Sequence, residues 1–391
     1  MKEYRNKLER LPKNYTFGIE LEFTGGLTSD ETEIIINYLI EKGYIREGWS
    51  VHFDKSVLDE NEKGAEIVSP VLTDTEETEK EIDIILKVIK LIGGKMDDKV
   101  GCHIHYGTQC LGSNIEHIQN YFKLYTINEP LLYKISKGDL DSVRSGCHEF
   151  AKPVQKRLMN VIDSKINSFT ELMFLLSINL GANPTHYGEN RYYGLNIQRI
   201  IEAIRNKPMD VSLEEYIKNI FAGIEQNDKD GNKISPTIEI RYRNGSSSLD
   251  EIMCSIRING QMFVKAKDNK FSKNATIKSQ YRNVKKRKKY VFDKVLRANR
   301  ESELYADCID DEEILRKKFA ESIYGDGLID KNSFIQFMKT LYSDLSEEII
   351  DKMYEMYVYG LKKTSYKNKD EQKKHPEITI TQGRQYTRRA A

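Results

Sequence analysis

The sequence predicts an α+β protein built on a curved, mostly antiparallel sheet that forms an open funnel, with helices on its outer face. The first observation is that several short segments alternate apolar and polar residues, which is the period of a strand with one buried face. The second is that segments with helical spacing of apolar residues separate these strands. The third is that the alternation stops near residue 261, so a helical C-terminal region is expected to follow the sheet.

The first strand and the first helix have clear signals. Residues 15–23 carry apolar side chains at the odd positions, so Glu20 and Glu22 project together from the opposite face. Thr28 and Glu31 have the spacing of a capping box, which predicts that a helix begins directly after Thr28.

Two further strands follow, and each adds polar groups. Residues 49–54 alternate and place His52 and Asp54 on one face. Residues 64–70 form a shorter alternating segment whose polar face holds Glu66. Both strands therefore add acidic or imidazole groups to the face that carries the two glutamates of the first strand.

The remaining strands continue this pattern. Residues 100–107 place His103 and His105 on the face opposite their apolar neighbours. Residues 237–243 do the same for Glu239, Arg241 and Arg243. Another strand is predicted over 191–197, and a hairpin turn, rather than a calcium loop, over 227–232. The predicted helices are 75–92, 113–136 with an interruption at Pro130, 167–180, 212–225 and 315–359.

Size and composition limit the classes of protein to consider. The 391 residues suffice for a catalytic domain over 1–260, a helical basic and acidic extension over 261–361 and a polar tail over 362–391 that is expected to be disordered. No apolar run reaches the roughly 20 residues of a membrane span, and residues 1–10 lack a signal-peptide core. We therefore expect a cytoplasmic protein, in a bacterium or a phage-infected cell. Five scattered cysteines argue against a disulfide framework and a structural zinc site.

The charge is unevenly distributed, although the net charge is only +1. Residues 257–300 hold fifteen Lys or Arg against two acids, and the densest run is Lys285 to Lys289. Such a segment can bind nucleic acid or another polyanion or partner, and it can equally be a solvated helix or loop. We favour the solvated helix or loop.

The polar faces of the strands predict the chemistry. Several carboxylates, two imidazoles and an arginine on one sheet suit a divalent metal and an anion, and carboxylates favour Mg²⁺ or Mn²⁺. Arg241, two residues after Glu239, can neutralise phosphoryl charge with its planar fork of donors. The set predicts phosphoryl transfer or metal-assisted hydrolysis. The sequence has no GxxxxGK[ST] or GxGxxG phosphate loop, so a nucleotide would be held through metal and arginine.

Taken in order, these segments resemble the amidoligase family, carboxylate–amine ligases related to glutamine synthetase and glutamate–cysteine ligase. The resemblance covers about residues 14–260. It lies in the elements FGIELEF at 17–23, Trp49 with Asp54 and Ser56, GAEIVSP at 64–70, GCHIH at 101–105 and TIEIR at 237–241. It implies a glutamine-synthetase-like catalytic domain.

The resemblance also implies ATP-dependent amide formation, in which an acyl phosphate made from the carboxylate substrate is attacked by an amine. It implies that the metals are carried by Glu20, Glu22, Glu66, Glu239 and one or both of His103 and His105, and that Arg241 stabilises the transferring phosphoryl group. Asp54 is a candidate for orienting or deprotonating the amine, and it can equally be a structural aspartate of a turn or strand end. Glu66 is assigned to catalysis as well as to metal binding. Arg191 and Asn196 are candidates for contacting nucleotide or substrate, and for Arg191 we favour ordinary surface placement.

Three functions remain open from the sequence. The leading one is an ATP- and Mg²⁺-dependent (or Mn²⁺-dependent) ligase acting on small-molecule, peptide, protein or cell-wall substrates. The second is a zinc hydrolase that uses His103-x-His105 with Asp54 or Glu66. The third is a nucleic-acid-binding or scaffold protein that uses residues 257–300. The sequence does not identify the acid, the amine, the number of metals or the oligomeric state.

Overall fold

A computed structural model describes residues 2–97, 99–137, 147–180, 192–268, 271, 277–286 and 329–359. Arg191, the strongly basic run at 287–289, the first part of the predicted 315–359 helical region and the predicted tail at 362–391 lie outside the described residues.

The described sheet is open, and all of its strand pairs are antiparallel. Its strands are β1 Thr16–Thr24, β2 Ser50–His52, β3 Gly64–Val68, β4 Leu72–Thr73, β5 Cys102–Gly107, β6 Leu195–Asn196 and β9 Thr237–Ile240, in the order β2-β3-β1-β5-β9-β6, with β4 beside the start of β1. A separate hairpin pairs β7 Gln226–Asn227 with β8 Lys233–Ile234. This confirms the predicted α+β class, the open antiparallel sheet and the hairpin at 227–232.

Helices pack around the sheet. They are α1 Lys2–Arg5, α2 Ser29–Glu41, α3 Glu76–Leu91, α4 Ile115–Ile135, α5 Cys147–Phe150, α6 Gln155–Asp163, α7 Phe169–Asn179, α8 Gln198–Arg205, α9 Leu213–Ala222, α10 Leu249–Ala266, α11 277–286, α12 Lys331–Leu341 and α13 Glu347–Tyr359. Tyr106 of β5 illustrates the packing: its hydroxyl donates to the Ile256 carbonyl oxygen of α10, and its ring lies 4.8 Å from that of Phe263. The core therefore lies between the sheet and α10.

The predicted capping box at the start of α2 is confirmed. The Thr28 hydroxyl accepts the Glu31 backbone N–H, and a Glu31 carboxylate oxygen accepts the Thr28 backbone N–H at 2.9 Å. This reciprocal pair satisfies two donors that the first turn of a helix leaves open.

The predicted interruption of helix 113–136 at Pro130 is wrong, because α4 runs through the proline. Proline has no N–H to donate to the carbonyl four residues earlier, which here belongs to Thr126. The Gln155 side chain of α6 donates to that carbonyl at 2.6 Å. A neighbouring helix thus supplies the missing donor, which a local reading of the sequence does not reveal.

The predicted placement of Arg243 on the same face as Glu239 and Arg241 is also wrong. Ile104 pairs with Ile240, whereas Gly101, three residues earlier, is bridged to Asn244, four residues later. The β9 side therefore holds one residue more than the β5 side, as in a β-bulge, and a bulge reverses the alternation beyond it. Arg243 is fully buried, and its Nη1 donates to the Ser255 hydroxyl of α10 at 2.6 Å.

The helical C-terminal region packs onto the same body. In α11, the Tyr281 hydroxyl donates to an Asp163 carboxylate oxygen at 2.8 Å, and Lys285 Nζ lies 2.7 Å from the other. The domain boundary proposed at 260 falls within α10, which continues to Ala266. In the part of the chain that is described, no helix is both long enough and apolar enough to cross a membrane.

Candidate active site

The register of the sheet brings the predicted polar residues into adjacent positions on one face. Glu22 of β1 pairs with Glu66 of β3, and Glu20 pairs with His103 of β5. His105 pairs with Glu239 of β9, which in turn pairs with Asn196 of β6. Directly paired side chains on one face lie about 5 Å apart, so five strands contribute to one cluster, which we call the carboxylate–histidine cluster.

His103 lies at the centre of this cluster. Its Nδ1 is 2.9 Å from Glu20 Oε2 and 3.6 Å from Glu239 Oε1, and its Nε2 is 3.4 Å from Glu22 Oε1. The imidazole is nearly inaccessible, with 3% of its side chain exposed. Three carboxylates therefore surround one buried ring.

His105 is held on the other side of Glu20. Its Nε2 is 2.8 Å from Glu20 Oε1 and 3.9 Å from Glu239 Oε1, while its Nδ1 is 3.1 Å from the Thr237 hydroxyl. The Thr237 contact fixes the orientation of the ring.

The Nε2 atoms of both histidines are buried, and within the described residues neither makes a well-aligned hydrogen bond. His105 Nε2 is close to Glu20, but the distance alone does not make a hydrogen bond, since geometry matters as well. A buried polar atom without a partner is costly, and in native structures it often marks the position of an ion or water. Lone pairs on imidazole nitrogens beside carboxylates are suitable ligands for a cation.

The ligand atoms form two groups, in each of which all atoms lie within 4.8 Å of one another. One group combines Glu20, His105 and Glu239, and the other combines Glu20, Glu66 and His103. Each group offers two carboxylates and one imidazole, and Glu20 belongs to both. The arrangement can hold two divalent cations with Glu20 between them.

The carboxylates of the cluster differ strongly in pKa. Burial raises the pKa of Glu20, but its contacts with His103 and His105 outweigh burial and hold it well below its usual range. Burial, followed by the negative charges of Glu20 and Glu22, raises the pKa of Glu66 to about 9. At neutral pH without a cation, Glu66 is therefore protonated, and an arriving cation would displace that proton.

Glu239 and Arg241 form a second electrostatic pair at the edge of the cluster. Glu239 accepts hydrogen bonds from Arg241 Nη1 and, at 2.6 Å, from the Asn196 amide. Burial acts to raise the pKa of Glu239, but Arg241, followed by both histidines, outweighs burial. The pKa therefore lies below its usual value, and the group is ionised. Arg241 has 16% of its side chain exposed.

Two predicted residues have a clear structural function of their own. Glu22 accepts the backbone N–H of Gly101, which anchors one of its oxygens. Asp54 Oδ1 accepts the backbone N–H of Ser56 at 2.8 Å and caps a short 3₁₀ turn. The charge of Asp54 also contributes to the raised pKa of Glu66, after burial, Glu20 and Glu22.

Sequence reasoning missed Arg199. Its Nη2 lies 3.5 Å from Glu20 Oε1, and 56% of its side chain is exposed. Arg199 belongs to the first turn of α8, three residues after Asn196 of β6. The signal that could have found it is this short connection, because a helix that follows a strand so closely brings its first turn beside the neighbouring strands.

The comparisons with known proteins agree with the resemblance seen in the sequence. The family described as "putative amidoligase enzyme" matches residues 13–205, which include β1, β3, β5 and β6 of the cluster, whereas Glu239 and Arg241 of β9 lie beyond the match. No curated protein matches the chain. Residues 13–205 therefore match the amidoligase family, and this match supports an enzyme of the ligase kind.

Proposed function

We propose that this protein is an ATP- and Mg²⁺-dependent ligase, or an Mn²⁺-dependent one, that joins a carboxylate to an amine through an acyl-phosphate intermediate. The observation that carries the proposal is the position of Glu20. This carboxylate is shared by two groups of metal-ligand atoms, and two guanidinium groups contact the cluster, Arg241 at Glu239 and Arg199 at Glu20.

The donor set fits Mg²⁺ or Mn²⁺. Oxygen ligands predominate, which favours hard cations. The unpartnered Nε2 atoms and the raised pKa of Glu66 are features that bound cations would relieve. Glu20, Glu66 and His103 would hold one ion, and Glu20, His105 and Glu239 the other. When bound, two such ions supply positive charge to phosphate oxygens during an in-line displacement.

The residues of the chain then have distinct functions in the proposed reaction. A carboxylate oxygen of the acid substrate attacks the γ-phosphorus of ATP, and ADP leaves. The amine attacks the acyl carbon, phosphate leaves, and the amine loses a proton. Arg241 would stabilise the charge on the transferring phosphoryl group, since this is the main catalytic demand. Asp54 would orient the amine or accept its proton.

We also infer that the open polar face of the sheet is the mouth of a glutamine-synthetase-like funnel. The Asn196 amide donates to Glu239, and its Oδ1 accepts the Gln198 backbone N–H at 2.7 Å. Asn196 would therefore act on the nucleotide mainly by positioning Glu239. Arg191 keeps its proposed contact to nucleotide or substrate, and the acid is proposed to be a small molecule, a peptide, a protein or a cell-wall component.

The zinc hydrolase and the polyanion-binding alternatives have less support. His103 and His105 fall into different ligand groups, whereas the hydrolase alternative requires both in one site. In the basic segment, Arg257 is buried among acidic partners, and Lys285 pairs with Asp163.

Calorimetric titration of Mg·ATP into the full chain tests the proposal without a known substrate. We expect magnesium-dependent binding that Glu20→Gln abolishes. Glu33→Gln is the matched control, because Glu33 is an exposed glutamate of α2 outside the cluster, and this variant should bind as the wild type does. Equal binding by wild type and Glu20→Gln, or retained zinc with no nucleotide affinity, would contradict the proposal.

A further inference from the structure

Arg199 and His105 contact the same oxygen atom of the carboxylate–histidine cluster. Arg199 Nη2 lies 3.5 Å from Glu20 Oε1, and His105 Nε2 lies 2.8 Å from it. The other oxygen, Glu20 Oε2, faces His103, whose Nδ1 is 2.9 Å away. A cation held by Glu20, His105 and Glu239 would therefore use the oxygen that Arg199 contacts. Arg199 and that cation would be two positive charges beside one carboxylate oxygen.

These two positive charges compete for Glu20 Oε1. Mg²⁺ binds a carboxylate oxygen at about 2.1 Å, so the contacting nitrogen of Arg199 would lie within about 6 Å of the ion, where like charges repel. More than half of the Arg199 side chain is exposed, whereas Arg241 is largely buried against Glu239. An arriving cation would therefore displace the guanidinium of Arg199 and leave Arg241 in place.

The charge of the cluster indicates what the displaced guanidinium would bind. The cluster contains four glutamates, Glu20, Glu22, Glu66 and Glu239. Histidines that ligate a metal are neutral, so two divalent ions would match the charge of these glutamates and leave Arg199 and Arg241 unmatched within the cluster. This excess favours a ligand with about two negative charges, which a terminal phosphate group carries and a single carboxylate does not. The planar fork of an arginine also suits phosphate oxygens.

We propose that Arg199 exchanges partners: its guanidinium pairs with Glu20 until a cation takes Glu20 Oε1, and it then binds the phosphate chain of ATP. The inference rests on the proposed function. Arg199 thus becomes available to the nucleotide only when metal is bound, whereas Arg241 keeps Glu239 as its partner throughout. The two arginines of the site therefore have different functions, one exchanging with the metal and the other fixed beside it.

Arg199→Gln tests the exchange through two affinities that should change in opposite directions. Calorimetric titration of Mn²⁺ into the full chain should show about threefold to tenfold tighter binding than in the wild type, because a competing positive charge is removed. Titration of ATP at saturating Mn²⁺ should show about tenfold to a hundredfold weaker binding, because charged hydrogen bonds to phosphate are lost. A variant that merely disturbed the local structure would weaken both.

Two further variants sharpen the test. Arg205→Gln is the matched control, because Arg205 is an exposed arginine in the last turn of the same helix, and this variant should keep both affinities. Arg199→Lys keeps the charge but not the planar fork, so it should bind Mn²⁺ as the wild type does and recover part of the ATP affinity.

The two titrations also separate this inference from the proposed function. Mn²⁺ affinity that is unchanged or weaker in Arg199→Gln, or ATP affinity equal to that of the wild type, would overturn the exchange. A wild type that binds no Mn²⁺, or no ATP at saturating Mn²⁺, would instead overturn the proposed function, and this inference with it.

Discussion

At the scale of single residues, Glu20 and Glu22 share one strand and one face but have different surroundings. Glu20 lies between both histidines and belongs to both ligand groups. Glu22 is outside both groups, and one of its oxygens is held by the Gly101 backbone N–H. The resemblance in the sequence implied that both are metal ligands. The alternation of the strand could not distinguish them, because it reveals the face of a side chain and not its partners.

This difference predicts unequal effects of the same substitution. We expect Glu20→Gln to weaken Mn²⁺ binding at least a hundredfold, since it removes a ligand from both groups, and ligand loss at metal sites is severe. Glu22→Gln should weaken it about tenfold or less. Isothermal titration of Mn²⁺ into each variant measures both values, and equal losses would show that Glu20 has no special position.

At the scale of elements, the contact between α4 and α6 compensates a proline inside a helix. Pro130 leaves the Thr126 carbonyl without its usual donor, and the Gln155 side chain replaces that donor. Glu129 directly precedes Pro130 in α4. It is fully buried and accepts the backbone N–H groups of Val154 and Gln155, each at 2.7 Å. The start of α6 is therefore held by Thr126 and Glu129, which lie within one turn of each other on α4.

A double-mutant cycle tests the compensation at Pro130. Gln155→Ala should lower the free energy of unfolding by about 1–2 kcal/mol, because a buried carbonyl loses its partner. In a Pro130→Ala background the helix regains its own N–H donor. Gln155→Ala should therefore lower the free energy of unfolding by about 1 kcal/mol less than in the wild type. Urea unfolding of the four proteins gives the coupling, and identical costs in both backgrounds would rule it out.

Glu129 predicts a pH dependence of stability. Burial raises its pKa from 4.5 to about 7, although the two backbone N–H groups oppose this. Between these values the folded state binds the proton and the unfolded state does not, so this contribution to stability is complete below pH 4.5 and lost as the pH rises through 7. The loss amounts to at most about 3 kcal/mol.

Comparison with Glu129→Gln isolates this contribution from other titrations. From pH 5 to pH 8, the wild type should lose up to about 3 kcal/mol of unfolding free energy relative to the variant. Urea unfolding of both proteins at the two pH values provides the measurement. If the difference in unfolding free energy between the wild type and Glu129→Gln does not change with pH, the pKa of Glu129 is not raised in the folded protein.

The sequence predicted elements best where the signal is local. The capping box of α2 was found because both of its partners lie within four residues. The continuation of α4 through Pro130 and the bulge that turns Arg243 away depend on partners distant in the chain. Arg199 was missed for the same reason, since its distance to Glu20 is set by the path of β6 and α8 across the sheet.

At the scale of the whole molecule, a buried ionic network joins the N-terminal segment, α3 and α10. Arg257 donates to both carboxylate oxygens of Asp74, at 2.9 and 2.8 Å, and to the Arg5 carbonyl at 2.7 Å. It also contacts Glu79, and only 2% of its side chain is exposed. This arginine opens the basic segment 257–300, yet it serves the interior of the fold and is not available to a polyanion.

Breaking this network should destabilise the whole protein. Arg257→Met leaves the buried Asp74 carboxylate without its main partner, so we expect a loss of about 3–5 kcal/mol in the free energy of unfolding. Lys265→Met on the same helix is the control, because Lys265 is partly exposed and outside the network, and it should change stability by about 0.5 kcal/mol or less. Similar small losses for both variants, measured by urea unfolding, would mean that the network contributes little.

The central claim is that one carboxylate joins two metal sites across the strands of the sheet. Electron paramagnetic resonance of the full chain loaded with Mn²⁺ tests it most directly, because two Mn²⁺ ions bridged by one carboxylate lie close enough for their spins to couple. We predict two coupled Mn²⁺ ions per chain in the wild type and in Glu33→Gln, and loss of the coupled signal in Glu20→Gln. A single uncoupled ion in the wild type, or a coupled pair that survives in Glu20→Gln, would contradict the claim.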